Sequence, residues 1–107
     1  IYAIDYLPKK LFKIDNLESI NWRLSIFKIL DRYCRITIEM DLTNIHAVLA
    51  EGKVKKILRL GDNVPLVYFD EVGYNIQNHP VLWSKEYYLD NMFDMVLLRK
   101  KITGYNF

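Results

Sequence analysis

Two stretches of alternating residues near the end of the chain, joined by a five-residue link, most constrain the fold. Residues 64–74 and 80–89 both show the period of two that is typical of β-strands. The link NIQNH is short enough for a hairpin, and Asn78 tolerates the positive φ that such a turn requires. Strands joined so tightly must run antiparallel. Because residues 93–101 also alternate, the sequence predicts three successive antiparallel strands.

Two shorter elements come earlier in the chain. Residues 1–7, IYAIDYL, have the composition of a short strand, and Pro8 prevents it from continuing. Residues 25–33, SIFKILDRY, have apolar side chains at helical spacing, with Ser25 in the position of an N-cap. The sequence therefore predicts a strand followed by a helix.

The period changes twice in the middle of the chain. Residues 36–43 alternate as in a half-buried strand. The side chains predicted to face the core are those of Ile36, Ile38, Met40 and Leu42. The side chains predicted to face solvent are those of Thr37, Glu39, Asp41 and Thr43. Residues 47–60 return to helical spacing and predict a second helix, although Gly52 is unfavourable inside one.

Length and composition fit one small domain. Of the 107 residues, 51% are hydrophobic and 26% are charged, which excludes a disordered tail or a fibre. With the predicted elements, this gives an α+β fold in which helices pack on one face of a mostly antiparallel sheet.

The charge distribution does not favour direct binding to nucleic acid. The net charge is +2, and the basic residues form three small clusters. These are Lys9, Lys10 and Lys13; Lys53, Lys55, Lys56 and Arg59; and Arg99, Lys100 and Lys101. None forms a dense basic stripe with interleaved aromatic residues, the pattern that follows a phosphate backbone.

The sequence has no motif for catalysis, for a cofactor or for a metal. Four glycines are too few for a phosphate-binding or dinucleotide-binding loop, and no Cys or His residues have metal-ligand spacing. Cys34, the one cysteine, is interpreted as structural and as consistent with a reducing, cytoplasmic location. The carboxylate pairs are also interpreted as structural. Asp70 and Glu71 are adjacent on a strand and should point to opposite faces, whereas Glu39 and Asp41 share the face predicted to be solvent-exposed. No apolar run approaches the ~18–20 residues that cross a membrane.

Several motifs, in this order along the chain, resemble the UTRA domain. They are YLP followed by LF, SIFKILDRY, IHAVLA before ILRL, and finally VPLVYFDEVGYN, PV, WS and EYY. UTRA is the effector-sensing domain of the HutC-type branch of GntR transcription regulators. The resemblance covers the chain essentially from end to end. Since the chain opens at Ile1 without Met, residues 1–107 are expected to be the C-terminal part of that domain.

The resemblance implies a chorismate-lyase-like fold and a regulatory function without catalysis. It implies a small-molecule effector, such as a sugar phosphate or another small anion, and a homodimer to which Met95, Leu97 and Ile102 contribute. DNA would be bound only by a winged helix-turn-helix domain that precedes the residues present here.

The resemblance also implies ligand-binding residues. Ser25 matches a serine at the start of the helix, Asp5 an acidic residue before YLP, and Tyr88 a tyrosine of the EYY strand. Ser84 and Glu86 share the alternating face of Tyr88 and are expected to line the same cleft. Phe27 stands where the family has a tyrosine, which leaves fewer polar contacts and makes a more apolar ligand plausible.

Both sets of candidate residues have a simpler interpretation. The polar face with Ser84, Glu86 and Tyr88 could be a solvated strand edge rather than a pocket. Ser25 could cap its own helix, or it could mark an anion site at the helix N-terminus, where Lys28 opposes the helix dipole.

Two other functions remain open from the sequence. The related lyase fold is catalytic, so an enzyme that eliminates pyruvate from chorismate is an alternative. A dimerisation module that has lost its pocket is another.

Overall fold

A single antiparallel sheet forms the framework of the molecule. The computed structural model describes residues 1–89 and 94–101. The strands are β1 (Tyr2–Tyr6), β2 (Met40–Leu49), β3 (Pro65–Tyr74) and β4 (Pro80–Leu89). They lie in the order β1-β4-β3-β2, and each neighbouring pair is antiparallel. The predicted fold class, helices with a mostly antiparallel sheet, is confirmed.

The helical segments are short. Helix α1 (Ile26–Ile29) continues into one π-helical turn (Leu30–Cys34), which ends where Arg35 adopts a left-handed conformation at φ 54°. Helix α2 comprises Gly52–Ile57, and two 3₁₀ turns comprise Lys9–Leu11 and Leu17–Ser19. No helix within the described residues is long and apolar enough to cross a membrane.

The link between β3 and β4 forms the predicted hairpin. The side chain of Asn75 accepts hydrogen bonds from the backbone N–H groups of Gln77 at 3.0 Å and His79 at 2.9 Å. Asn78 has a φ of 61°, in the left-handed region that Asn tolerates. This turn fixes the register of β3 against β4, apart from a shift between Gly73 and Tyr74.

The predicted bounds in the middle of the chain were wrong. The strand predicted at 36–43 begins at Met40 and extends to Leu49, so the helix predicted over 47–60 begins only at Gly52. The reason is tertiary, because all ten residues of β2 pair with the ten of β3, whatever the local apolar spacing. Gly52 starts the helix, and its φ of 54° explains why a glycine stands there.

The predicted burial of this segment was also wrong in part. Met40 and Leu42 are exposed, whereas Thr43 is half-buried. Ile36 and Ile38, which precede the strand, pack against the core instead. A period of two gives two faces but does not say which one is covered.

The strand predicted at 93–101 is not present in residues 94–101, which have no regular structure. Met95 and Leu97, expected at a dimer interface, are exposed there. Phe93 and Ile102 lie outside the described residues.

The hydrophobic core lies between one face of the sheet and the helical layer. It is centred on Leu30, Cys34 and Leu82. The partly buried side chains around it are Leu7, Leu11, Phe12, Ile26, Tyr33, Ile36 and Ile38. Burial raises the pKa of the Cys34 thiol, with a smaller opposing effect from Lys13, so this cysteine is a weak nucleophile. We call this side of the sheet the helix-side face.

The opposite side, which we call the aromatic face, carries a row of rings across all four strands. The ring centroids are 6.0 Å apart for Tyr2 and Tyr87, 4.7 Å for Tyr87 and Tyr68, and 5.8 Å for Tyr68 and His46. Because these rings stack on one another, cross-strand contacts of this kind stabilise the pairing of the strands.

Leu30→Ala tests where the core lies. Leu30 has 0% exposure, and its truncation should lower the free energy of unfolding by about 2–5 kcal/mol because it leaves a cavity. Leu42→Ala makes the same chemical change at a side chain that is 58% exposed, and should cost about 0.5 kcal/mol or less. Urea denaturation measures both, and equal losses would contradict this placement of the core.

Candidate functional site

Polar side chains lie on the helix-side face next to the hydrophobic core. The pairing register places Ala3 and Asp5 of β1 opposite Glu86 and Ser84 of β4. The same register places Glu71 of β3 opposite Ser84. We call Asp5, Ser84, Glu71, Glu86 and Tyr88 the polar cluster.

Ser84 joins the two strands at the buried end of the cluster. Its hydroxyl donates a hydrogen bond to Asp5 Oδ1 at 2.5 Å, and the residue is only 2% exposed. A buried hydroxyl needs such a partner, since leaving it unpaired would be costly. The Ser84–Asp5 bond therefore orients a carboxylate whose residue is itself exposed.

Glu86 connects the remaining two residues of the cluster, Glu71 and Tyr88, by hydrogen bonds to its carboxylate. The Tyr88 hydroxyl donates to Glu86 Oε2 at 2.5 Å. The Glu71 carboxyl also hydrogen-bonds to Glu86 from the neighbouring strand. All three residues are half-buried. Two carboxyl groups and a phenol therefore form a chain of hydrogen bonds across β3 and β4.

This arrangement changes the protonation of Glu71. Burial, the negative charges of Glu86 and Asp41, the hydrogen bond to Glu86 and the charge of Asp5 together raise the pKa of Glu71 to about 7. Burial, followed by the hydrogen bond and the charge of Glu86, also raises the pKa of Tyr88. Near neutral pH, a substantial fraction of Glu71 is therefore protonated.

A cleft adjoins the cluster where β1 meets the helical layer. It has a volume of about 270 Å³ and is lined by Asp5, Leu7, Trp22, Leu24, Ile26 and Ile29. Mostly apolar walls with one carboxylate are typical of small-molecule sites. A larger cleft of about 410 Å³ lies near the β3–β4 hairpin, and its lining includes Tyr6 and Trp83 but no charged residue. We regard the smaller cleft as the candidate site because it shares Asp5 with the polar cluster.

The structure brings four of the five candidate residues together and places Ser25 apart from their hydrogen bonds. Asp5, Ser84, Glu86 and Tyr88 lie on one face of the sheet. Ser25 is the exposed N-cap of α1, where its Oγ accepts a hydrogen bond from the Lys28 N–H at 3.3 Å. Its neighbours Leu24 and Ile26 line the cleft. A contact between Ser25 and a ligand stays a prediction.

Sequence reasoning missed Glu71. The prediction that Asp70 and Glu71 face opposite sides agrees with the structure, since Asp70 accepts a hydrogen bond from Trp83 Nε1 at 2.6 Å on the aromatic face. Glu71 was interpreted as structural because adjacent residues of a strand point to opposite faces, and its contact with Glu86 depends on the register between β3 and β4. Asp41 was expected to face solvent, and its negative charge contributes to the raised pKa of Glu71. No group within the described residues has the geometry of a metal site.

Glu71→Gln should make the protein more stable at alkaline pH. The pKa of Glu71 rises from an ordinary 4.5 to about 7 on folding, so the folded state binds protons more tightly. Its contribution to stability is complete below pH 4.5 and is lost as the pH rises to about 7. When the pH is raised from 5 to 8, the free energy of unfolding of the variant should increase relative to that of the parent by about 1–2 kcal/mol. This figure allows for solvent screening. Unfolding measured at both pH values tests this.

The control for that experiment is Glu39→Gln, which removes an exposed carboxylate that lies before β2 and outside the cluster. The same gain in this variant would show that net charge, rather than the Glu71–Glu86 contact, is responsible.

The structure resembles several solved proteins, one of which is a GntR-family transcription regulator. The C-terminal domain of Yurk from Bacillus subtilis has a TM-score of 0.70 at 18% identity over 84% of this chain and 61% of its own. The GntR-family regulator from Enterococcus faecalis has 0.71 at 18% identity, over 91% and 68%. The effector domain of PhnF from Mycobacterium smegmatis has 0.76 at 12% identity, over 92% and 60%.

At these identities, the likeness establishes the fold. The chain thus spans about three fifths of the Yurk and PhnF domains and about two thirds of the Enterococcus chain. No curated protein matches the sequence. A family model does match, over residues 1–94, and its description is the UTRA domain. Because that match covers most of the chain, the protein belongs to the UTRA domain family.

Proposed function

We propose that this chain is the effector-sensing part of a GntR-type transcription regulator of the HutC branch, and that it has no catalytic activity. The observation that carries this proposal is a cleft between β1 and the helical layer, next to a hydrogen-bonded polar cluster, within a UTRA-family fold. A winged helix-turn-helix domain elsewhere in the protein binds DNA. The protein acts in the cytoplasm.

The cleft can couple ligand binding to a change in shape because its walls come from two layers. Asp5 and Leu7 belong to the β1 segment, whereas Leu24, Ile26 and Ile29 belong to the α1 segment. A ligand that contacts both layers stabilises one arrangement of them over another. Only such differential affinity can shift the DNA-binding equilibrium.

The residues have separate roles in this proposal. Asp5, held by Ser84, accepts hydrogen bonds from the ligand at the mouth of the cleft. Glu86 and Tyr88 lie on the same face of the sheet, beyond the residues that line the cleft, and Tyr88 holds the Glu86 carboxylate in place. Ser25 can contribute without losing its bond to the Lys28 N–H, because its hydroxyl accepts that bond and still has a hydrogen to donate to a ligand.

The charge of the cluster favours a regulator over a chorismate lyase. Chorismate is a dicarboxylate, whereas the cleft is lined by Asp5 and lies beside a cluster that also contains the carboxyl groups of Glu71 and Glu86. Carboxylates that face a dicarboxylate repel it. The matched structures are also described as regulators or effector domains.

The proposed assembly is a homodimer. Exposed apolar side chains at Met95 and Leu97 support this, because a contiguous exposed apolar stretch is typical of an interface.

The function is tested with the intact regulator. Native mass spectrometry of the protein purified gently from its own cells should show a retained small molecule. That molecule should change the affinity of the intact regulator for its operator. A retained molecule that leaves operator affinity unchanged would contradict the proposed function.

Tyr88→Phe should weaken the effector response without unfolding the protein. The change deletes only the hydroxyl that orients Glu86, so the melting temperature should hardly move. Effector binding should weaken by about 0.5–1.5 kcal/mol, which is the net contribution of one hydrogen bond. Tyr87→Phe is the matched control, since it removes the same hydroxyl from the adjacent residue on the aromatic face. Equal losses of affinity in the two variants would exclude Tyr88 from the site.

The 107-residue chain by itself should not bind operator DNA. It has no recognition helix within the described residues, and its basic side chains form no continuous face. In a gel-shift assay at ~150 mM salt, micromolar chain should leave the DNA unshifted, whereas the intact regulator should shift it. A shift by the chain alone would overturn the assignment of DNA binding to another domain.

A further inference from the structure

We propose that residues 94–101, which we call the 94–101 segment, add as a strand to the outer edge of β2 in a second copy of the chain. The exchange is reciprocal, so each copy supplies one segment and accepts another, and the assembly closes on a two-fold axis. This inference rests on the homodimer of the proposed function and names the two surfaces that meet in that dimer.

The first support is the outer edge of β2. This strand is last in the sheet order, so among the described strands it has a neighbour on one side only. All ten of its residues pair with β3 without a register shift. Natural edge strands of this kind are protected from further pairing by lysine, proline or a bulge. Since β2 has none of the three, its edge is open to another strand.

Exposed apolar side chains on both faces of β2 indicate that this edge is covered in the assembly. Met40 and Leu42 on the aromatic face, and Ile45 and Leu49 on the helix-side face, are each 50–58% exposed. A strand that pairs with an edge contacts the side chains of both faces through cross-strand neighbours. One added strand would therefore cover all four positions or the side chains next to them.

The second support is the 94–101 segment itself. Its residues alternate as in a strand, yet they have no regular structure. Val96, Leu97 and Leu98 are 82–89% exposed. An apolar run this exposed is typical of an interface, and pairing with a strand would also satisfy its backbone N–H and C=O groups.

The third support is complementarity in one antiparallel register. This register sets apolar residues opposite each other at two positions, basic residues opposite acidic ones at two more, and an Asp opposite a His at a fifth. The pairs are Asp94–His46, Met95–Ile45, Leu98–Leu42, Arg99–Asp41 and Lys101–Glu39. Registers shifted by one or two residues in either direction keep only one pair of opposite charge. Because opposed pairs of these kinds stabilise strand pairing, they select this register.

The other possible edges do not match in this way. If β2 paired with β2 of a second copy, the residues opposite each other would share a face. Asp41 and His46 are the ionisable residues of β2 and lie on opposite faces, so they could not meet. The other edge strand, β1, has 5 residues, which is fewer than the 94–101 segment needs.

The segment of the same chain does not reach this edge. β4 ends at Leu89, level with Val48 of β2. Asp94 opposite His46 would lie about 16 Å from Leu89, three strand spacings across and two residues along. Five peptide steps span at most about 17 Å, and residues 50–64, which join β2 to β3 at this end, lengthen the path. The segment on β2 therefore comes from a second copy.

The test is disulfide trapping in the intact protein. Directly opposed residues have Cβ atoms about 4.5–5.5 Å apart, close enough for a disulfide after a small adjustment. With oxidised glutathione as the oxidant, the double variant Leu42→Cys/Leu98→Cys should give a covalent dimer on a non-reducing gel. The matched control is Leu42→Cys/Leu97→Cys, in which the second thiol lies one residue away and on the opposite face, so it should remain mostly monomeric on that gel.

A second measurement uses sedimentation without any cross-link. Leu42→Lys should raise the dissociation constant of the dimer at least about tenfold, because it places a cation opposite Leu98 and beside Arg99 of the second copy. Ile76→Lys makes the same change at an 81% exposed side chain of the β3–β4 hairpin and should leave the constant unchanged. At concentrations where the protein is monomeric, both variants should unfold like the parent.

The outcomes separate the exchange from the rest of the proposed function. A disulfide within one chain, no covalent dimer, equal yields in the control, or an unchanged dissociation constant for Leu42→Lys would each show that the exchange is wrong. The homodimer would still stand if the parent sediments as a dimer, and would fail together with the exchange if it sediments only as a monomer. Effector sensing is tested separately, by the effect of the retained small molecule on operator affinity.

Discussion

The pairing of β4 between β1 and β3 is the constraint on which the rest of the structure depends. Its register brings Asp5, Ser84 and Glu71, which come from three separate parts of the chain, into one row. A shift by one residue would move each of these side chains to the other face. The Asn75 hairpin and the row of stacked rings on the aromatic face both oppose such a shift. The geometry of the polar cluster is therefore a consequence of strand register.

The two faces of the sheet carry different kinds of side chain. On the aromatic face, Tyr2, Tyr87, Tyr68 and His46 contact one another across all four strands. The helix-side face carries the hydrophobic core around Leu30 and, beside it, the hydrogen-bonded carboxyl groups of Glu71 and Glu86. Carboxylates so close together destabilise the fold when both are ionised. A ligand-dependent equilibrium can be built on such a site.

Sequence periodicity predicted some elements well and others poorly. The β3–β4 hairpin was predicted with its bounds nearly correct, because alternation and the NIQNH link agree with each other. Residues 36–60 were predicted poorly, since Met40–Leu49 is an edge strand with exposed apolar side chains, and its pattern does not report burial. Of the site, Asp5, Ser84, Glu86 and Tyr88 could be named beforehand from alternation and family resemblance. Glu71 could not.

By itself, the sequence determined the fold class, the family and the side-chain alternation of β4, because strand period and motif order are properties of contiguous residues. Tertiary structure alone decided which carboxyl groups meet. Glu71 and Glu86 are 15 positions apart in the sequence, and only the register of β3 against β4 makes them hydrogen-bonded neighbours. The raised pKa of Glu71 follows from that contact and from burial, neither of which a linear pattern contains. The concentration of carboxyl groups on this face was therefore decided by the fold.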